Sequence, residues 1–277
     1  MPKKTVGVMG CGTIGSHLAL AIDSGTVANA SLAALFDIVG ETARNLKASL
    51  KTDPQIYVDF DKFIASPADI VIEAASQTAV KNFSRRIIES GKDLMVMSVG
   101  ALADAAFLAE LLKLPPIRDG CNRIYIPSGA IAGIDAIRSI RDIADSITLT
   151  TRKSPKALAG APFFSERNVS PNSLTKVTEI YEGAAAEAVK LFPANVNVAA
   201  VLSLAGIGVE KTRVRILADP NITTNQHEIV ATGSFGEIKI SVNNVTAPGN
   251  PKTSFLAVLS AIECLRSICD DGIKIGS

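Results

Sequence analysis

Two sets of residues in this sequence have types and spacings that suit chemistry. The first is Gly10-Cys11-Gly12-Thr13-Ile14-Gly15, a G-x-G-x-x-G string. The string is weak alone, and its neighbours give it meaning. It follows an apolar run, Thr5 to Met9, that predicts a strand. It opens a helical pattern with Ile14, Leu18, Ala21 and Ile22 on one face. In that setting Gly10 allows a tight turn, Gly12 lets the backbone approach a pyrophosphate, and Gly15 lets helix and strand pack closely. The helix N-terminus, at Thr13 and Ile14, offers unpaired N–H groups and partial positive charge to phosphates. Asp37 ends the next strand-like run, about 20 residues beyond Gly15, where an acid binds ribose hydroxyls. The pattern predicts an NAD-type dinucleotide site. Ile38, not an arginine, follows Asp37, and a carboxylate repels a 2′-phosphate, so NAD is favoured. Arg44 lies a little further on and keeps NADP open.

The second set lies in the C-terminal half. His227 opens a strand-like run after Thr223-Thr224-Asn225-Gln226. A neutral imidazole suits taking a proton from an amine or hydroxyl as hydride leaves the same carbon. A packed strand residue is the other reading, and residue chemistry leaves both open. The remaining histidine, His17, sits one turn into the first helix and reads as a packed or surface residue. Asn195 and Asn197 flank Val196 at the start of an alanine-rich helix. One of them serves as N-cap; the other has the donor and acceptor that match a nicotinamide carboxamide. Ser128-Gly129-Ala130-Ile131-Ala132-Gly133 is small enough to let a cofactor ring lie against backbone, and Asp135 after it caps a helix or lines the site. Glu73-Ala74-Ala75-Ser76 and Ser98-Val99-Gly100-Ala101 follow two apolar strands, and ligands of open parallel sheets bind beyond such ends.

These residues need a scaffold, and the first 126 residues alternate strand and helix patterns. Strand-like runs are Thr5–Met9, Ser31–Asp37, Tyr57–Asp59, Asp69–Ala74, Asp93–Ser98 and Arg123–Ile126. Helical patterns fill the intervals at Ile14–Ser24, Gly40–Lys51, Thr78–Ser90 and Ala103–Leu112. Strands apolar on both faces between helices indicate a parallel sheet covered on two sides. After Pro127 the pattern changes. Ser146–Arg152, Thr212–Ala218, His227–Gly233 and Glu237–Asn243 alternate wet and dry, as in a mostly antiparallel sheet. Gly133–Ala144, Glu179–Leu191, Asn197–Gly206 and Thr253–Cys269 read as helices, and Pro155–Pro171 as loop. The expected architecture is α/β. A Rossmann-type parallel sheet occupies 1–127, and a second α+β domain with a mostly antiparallel sheet, bearing substrate and catalytic groups, occupies 128–250. A terminal helix in 251–277 packs back on the first domain.

Composition narrows the function. The chain has 277 residues, 47% hydrophobic and 20% charged, an ordinary globular balance. Lys plus Arg number 28 against 27 Asp plus Glu, so no net charge draws nucleic acid or an anionic membrane. Cys11, Cys121, Cys264 and Cys269 show no C-x-x-C spacing and read as reduced thiols, without a disulfide framework or metal site. No secretory h-region or membrane-length apolar span is read, so the expectation is a cytoplasmic protein acting on a small molecule.

Several segments together resemble the L-aspartate dehydrogenases, amino-acid dehydrogenases whose product is iminoaspartate. They are Gly7–Gly15, Glu73–Ser76, Pro127–Ala136, Phe192–Ala200, the strand opening at His227 with Gly233–Gly236, and Asn250–Ser254. The glycine segment is common to Rossmann enzymes; the others are more specific together. The resemblance implies NAD(P)-dependent oxidation of L-aspartate to iminoaspartate, which hydrolyses to oxaloacetate and ammonia or feeds NAD biosynthesis. It implies His227 as the active-site residue, with Ala130 and Asn197 contacting the cofactor; Asn197 is preferred over Asn195 because its separation from His227 suits the family. A homo-oligomer, specifically a homodimer, is also expected. Residues 119–123 and 157–175 read as longer than a minimal member needs. The two substrate carboxylates require cationic or N–H partners, either among Lys211, Arg213 and Arg215, which alternation places on one face, or at a helix N-terminus. Two rivals stand beside this reading. One is another Rossmann enzyme, related to homoserine dehydrogenase or dihydrodipicolinate reductase, although the latter's His-His pair is absent. The other is a non-catalytic NAD-binding regulator.

Overall fold

The computed structural model describes residues 3–193, 197–248, 250–270 and 272–273. The chain divides into two compact units. The first comprises Met1–Ala101, Ala105–Pro127 and Val258–Ile275, and the second Leu102–Asp104, Ser128–Ala257 and Gly276–Ser277.

The first unit runs β1 (Lys4–Met9), α1 (Thr13–Asp23), β2 (Ala30–Phe36), α2 (Gly40–Ala48), β3 (Gln55–Tyr57), α3 (Phe60–Ile64), β4 (Ile70–Glu73), α4 (Gln77–Glu89), β5 (Asp93–Val96), α5 (Ala105–Leu112), α6 (Pro115–Arg118) and β6 (Ile124–Tyr125). Among the described residues these strands form one sheet in the order β3-β2-β1-β4-β5-β6, every pair parallel. That is the Rossmann order, with β1 and β4 at the point where the winding reverses. The strands are apolar throughout because both faces are covered; all four residues of β4 are buried. Val6 and Val8 of β1 and Ile70 and Ile72 of β4 share a core with Leu18 and Ile22 of α1. Each such side chain contributes roughly 1.5–3 kcal/mol by leaving water. Ala261, Leu265 and Cys269, near the C-terminus, pack into the same core. Phe36, Phe60, Phe63 and Phe83 form an aromatic cluster, with Phe60 and Phe83 stacked at 4.1 Å and Phe36 and Phe63 at 5.2 Å.

The second unit runs α7 (Ile134–Ile140), β7 (Ala144–Lys153), α8 (Pro155–Leu158), α9 (Pro162–Glu166), β8 (Thr178–Ala184), α10 (Ala185–Leu191), α11 (Asn197–Ala205), β9 (Arg213–Ala218), β10 (Asn225–Gly233), β11 (Gly236–Asn244), β12 (Thr246–Ala247) and β13 (Asn250–Ser254). Its larger sheet has the order β11-β10-β7-β9-β8. All pairs are antiparallel except β7 with β9. α12 (Phe255–Cys269) follows β13, and its residues from Val258 belong to the first unit. The alternation in sequence sorts the two faces of the sheet. Ile147, Leu149, Thr151 and Lys153 of β7, Val214, Ile216 and Ala218 of β9, and Asn225, His227, Ile229 and Ala231 of β10 are all buried. The residues between them are more exposed. No helix among the described residues is long and apolar enough to cross a membrane.

The structure corrects several element expectations. Residues 178–184 form β8, not the start of a helix at Glu179. The ladder with β9 shifts register between Glu179 and Tyr181, so one extra residue disrupts the two-residue period that marks a strand. Pro155 and Pro162 each stand at the first turn of a short helix, where a missing N–H is harmless, so 155–171 is not all loop. The helix after Gly133 ends at Ile140, and β7 begins at Ala144. The last helix starts at Phe255 because 250–254 pairs with 246–247.

Candidate active site

In the first unit the glycine string forms the turn from β1 into α1, and each glycine answers to a different constraint. Gly10 has φ +96°, and a Cβ there would meet the backbone of Ala74 and Ala75 at 2.7–2.8 Å. This approach sets the exit of β4, with the exposed Ala75, against the glycine turn. A Cβ on Gly15 would run into the carbonyl oxygen of Gly10. At Gly12 a Cβ would meet nothing within 4 Å. Packing therefore demands glycine at 10 and 15, whereas at 12 its absence of side chain leaves open space. Gly12 is the N-cap of α1 and supplies no side-chain hydrogen bond to the first turn, which begins at Thr13. Ile14 also packs partly against the core.

Asp37 follows β2 and faces the same turn. Its Oδ2 accepts from the Cys11 N–H at 2.9 Å and its Oδ1 from the Val39 N–H at 2.9 Å. Each oxygen keeps a lone pair, enough for ribose hydroxyls. The Arg44 guanidinium lies 3.2 Å from where a Cβ on Gly40 would be. Burial and the Asp37 charge push the Cys11 thiol up to about 12, so it stays protonated and inert. His17 Nδ1 lies 2.7 Å from the Thr13 carbonyl oxygen one turn back, the position of a helix residue.

Glu73, quoted in the sequence only as part of its segment, organises the strand ends of the first unit. It is fully buried at the end of β4. Oε1 accepts from the N–H groups of Ala75 and Ser76 and from the Ser98 hydroxyl; Oε2 accepts from the Ser98 N–H at 2.9 Å. Burial raises its pKa against the opposing pull of these bonds. One carboxyl thus fixes the exits of β4 and β5, the strand ends where a parallel sheet takes its ligand. Open space at Gly12, an α1 without a side-chain cap and acceptors at Asp37 fit a dinucleotide held by its phosphates and ribose.

The second unit collects the other candidates on the buried face of its larger sheet. His227 of β10 is directly opposite Thr151 of β7, and its Nδ1 lies 2.8 Å from Thr151 Oγ1. The imidazole is 2% exposed, and its Nε2 has no hydrogen-bond partner among the described residues. Burial first, and the Lys153 charge second, push its pKa down to about 3. Lys153 stands two residues beyond Thr151 on the same face and is itself 4% exposed. Asn225, two residues before His227, donates from Nδ2 to Ser254 Oγ at 3.2 Å. Asn244 of β11, opposite Asn225, donates to the Ala130 carbonyl at 2.9 Å. The Ala130 loop is thereby tied to the sheet end that carries His227. Gly133 closes that loop with φ +71°, a left-handed conformation open to glycine, and a Cβ there would strike Ile240 of β11. Asn197 is the first residue of α11, which packs on α7 and α10. Asn195 lies outside the described residues. Asp135 falls in the first turn of α7 and lines a surface depression with Arg138, Ser139 and Arg141.

The three cations considered for the substrate carboxylates are corrected by the fold. Lys211 is exposed, and Arg213 and Arg215 point to the open face of the sheet, away from His227. Arg215 pairs there with Glu179 of β8 at 2.6 Å, and Arg213 lies 3.9 Å from Glu182. The cation on the His227 face is Lys153. Its signal was in the sequence: the spacing Ile147, Leu149, Thr151, Lys153 carries a charge onto the dry face of an alternating strand.

Comparison with known proteins resolves the family. Residues 10–121 match the model of the homoserine dehydrogenase NAD-binding domain, and residues 135–268 match that of the aspartate dehydrogenase C-terminal domain. The L-aspartate dehydrogenase of Nitrosopumilus maritimus is 46% identical over 278 residues, covering 99% of this chain and 100% of its own. That of Methanocella arvoryzae is 46% identical over 98% of this chain and 99% of its own. With such mutual coverage, 119–123 and 157–175 are not extra length relative to these proteins. The crystal structure of aspartate dehydrogenase from Thermotoga maritima superposes with TM-score 0.74 at 27% identity, covering 98% of this chain and 99% of that one. A Rossmann sheet with an NAD-binding domain, a second sheet bearing a buried histidine, and near-complete alignment with these relatives place the chain in the L-aspartate dehydrogenase family.

Proposed function

We propose that this chain oxidises L-aspartate to iminoaspartate with NAD as oxidant, NADP being the lesser alternative. The observation that supports the reading most is His227. A buried imidazole, neutral at physiological pH, is held at Nδ1 by Thr151 and offers an unpartnered Nε2. The dinucleotide would be held by the N–H groups at Gly12, Thr13 and Ile14, by Asp37 at the ribose, by Ala75, and by Ala130 and Asn197 toward the nicotinamide. When bound, it supplies the acceptor for the hydride that leaves Cα.

The protein's part is proton handling and orientation. Hydride loss from Cα requires the amine lone pair to form the C=N bond, so the substrate ammonium must first give up a proton. His227 receives it at Nε2 in the tautomer whose Nδ1–H donates to Thr151 Oγ1. Thr151 therefore fixes both the tautomer and the ring plane. The same imidazolium can return a proton during hydrolysis of the imine to oxaloacetate and ammonia. Asn244 holds the Ala130 carbonyl and so fixes the loop whose small residues leave room beside the backbone. In the same proposal the chain works as a homodimer in the cytoplasm and its imine feeds NAD biosynthesis. Light scattering that finds only monomer would remove the dimer.

The test is NADH formation from L-aspartate and NAD, wild type against His227→Asn. Turnover by the wild type, with kcat lower by roughly two orders of magnitude or more in the variant, fits proton transfer at this residue. Tight NADH binding without turnover of aspartate would leave the fold standing and remove the substrate assignment.

A further inference from the structure

Among the described residues, Lys153 is a buried cation without a counter-ion. It lies on the dry face of β7, and its side chain makes no hydrogen bond or ion pair with any described residue. The acidic residue nearest in the ladder is Asp219, just past Ala218, which pairs with Lys153. Asp219 donates its N–H to the Lys153 carbonyl, but its carboxylate is engaged elsewhere: Oδ1 accepts from the Asn221 N–H at 2.9 Å and Oδ2 lies 3.5 Å from Arg152. Desolvation pushes the Lys153 ammonium down to about 8. A carboxylate close by would oppose that. Isolated buried charges are costly and are ordinarily paired. The same face holds an unsatisfied buried polar atom, Nε2 of His227. Both lie on neighbouring strands, with Thr151 bonded to one and two residues from the other.

We infer that Lys153 is the anchor for a carboxylate of the substrate, placing a dicarboxylic amino acid beside Nε2 of His227. The inference rests on the dehydrogenase reading and deepens it, by naming the group that selects an acidic substrate. A lysine ammonium has three donors and full charge, and one charge-assisted hydrogen bond to a carboxylate contributes about 1.5–3 kcal/mol. That corresponds to roughly 10–100-fold in affinity.

The test uses the full chain saturated with NADH and succinate as probe, a dicarboxylate with no amine to oxidise, measured by calorimetric titration. Lys153→Met should weaken succinate binding by roughly 10–100-fold, while NADH affinity and far-ultraviolet circular dichroism stay as in wild type. Lys153→Arg should hold succinate within a few-fold of wild type. In turnover, Lys153→Met should raise KM for L-aspartate more than it lowers kcat. Equal succinate affinity in wild type and Lys153→Met, or no succinate binding by wild type, overturns the inference. If wild type binds succinate through Lys153 yet does not oxidise aspartate, the substrate reading fails and the anchor stands. If aspartate is oxidised and Lys153→Met is indifferent, the reverse holds.

Discussion

Burial and the Lys153 charge hold His227 near 3 against an ordinary 6.5, so the free imidazole is neutral but a weak base. A substrate carboxylate on Lys153 cancels the charge that helps depress it. Basicity therefore rises when the proton to be moved arrives. Lys153, pushed down to about 8, gives the pair a measurable titration. The groups around it are Thr151 and His227 on its own face and Arg152 and Asp219 at the strand end. Binding of a dicarboxylate needs the ammonium form, so succinate affinity should fall above pH 8, by at most about tenfold per pH unit. In Lys153→Arg it should stay flat, since a guanidinium keeps its proton. A flat wild-type profile from pH 7 to about 9.5 would show that Lys153 does not carry the binding. In the sequence, the polar run before its strand marks His227 as a candidate without deciding between a packed and a functional role. Lys153 is harder to read, because it is the last residue of β7, one beyond the alternating run Ser146–Arg152, and the arginines of β9 lie on the wet face.

At the scale of elements, the β1–α1 turn separates glycines that packing demands from one that packing does not. Gly15→Ala forces a methyl into the Gly10 carbonyl and should destabilise the protein by about 1–3 kcal/mol, the usual cost of overpacking. Gly12→Ala meets open space, so the melting temperature should hold. The same methyl stands where phosphate N–H contacts would form, and NADH affinity should drop about tenfold or more. Calorimetric melting and NADH titration of the two variants check this; unchanged NADH affinity in Gly12→Ala would take the phosphates away from that turn. Most of the Rossmann sheet was readable, because parallel strands buried on both faces leave uninterrupted apolar runs such as Ile70-Val71-Ile72. β8 was not, because its bulge at Ile180 breaks the period and Ala185–Leu191 continues directly as helix. β13 was not, because its pairing with Thr246 and Ala247 is a tertiary fact that no local pattern announces.

Across the whole molecule the buried titratable groups pull stability in opposite directions as pH falls. His227, in the second unit, is about 3 folded and near 6.5 unfolded, so between those values the unfolded chain binds the proton that the folded chain refuses. Stability contributed by keeping it neutral is present above 6.5 and is lost on acidification, by about 1.4 kcal/mol per pH unit at most. Glu73, in the first unit, is raised above its ordinary 4.5, so there the folded chain holds the extra proton and acidification stabilises. Asp69 is lowered below 3.8 and enters only in stronger acid. From pH 6.5 down to 4.5 the second unit should weaken while the first does not. Asn at 227 keeps a polar atom near Thr151 and cannot take up the proton. His227→Asn should therefore flatten the decline of melting temperature over this interval, and the surviving transition should be the one that carries the second sheet. Calorimetry on both proteins across the interval decides it. An equal slope in wild type and variant would mean that His227 is already hydrated or paired in the folded protein, and the buried, unpartnered Nε2 on which its proposed role as base depends would be lost with it.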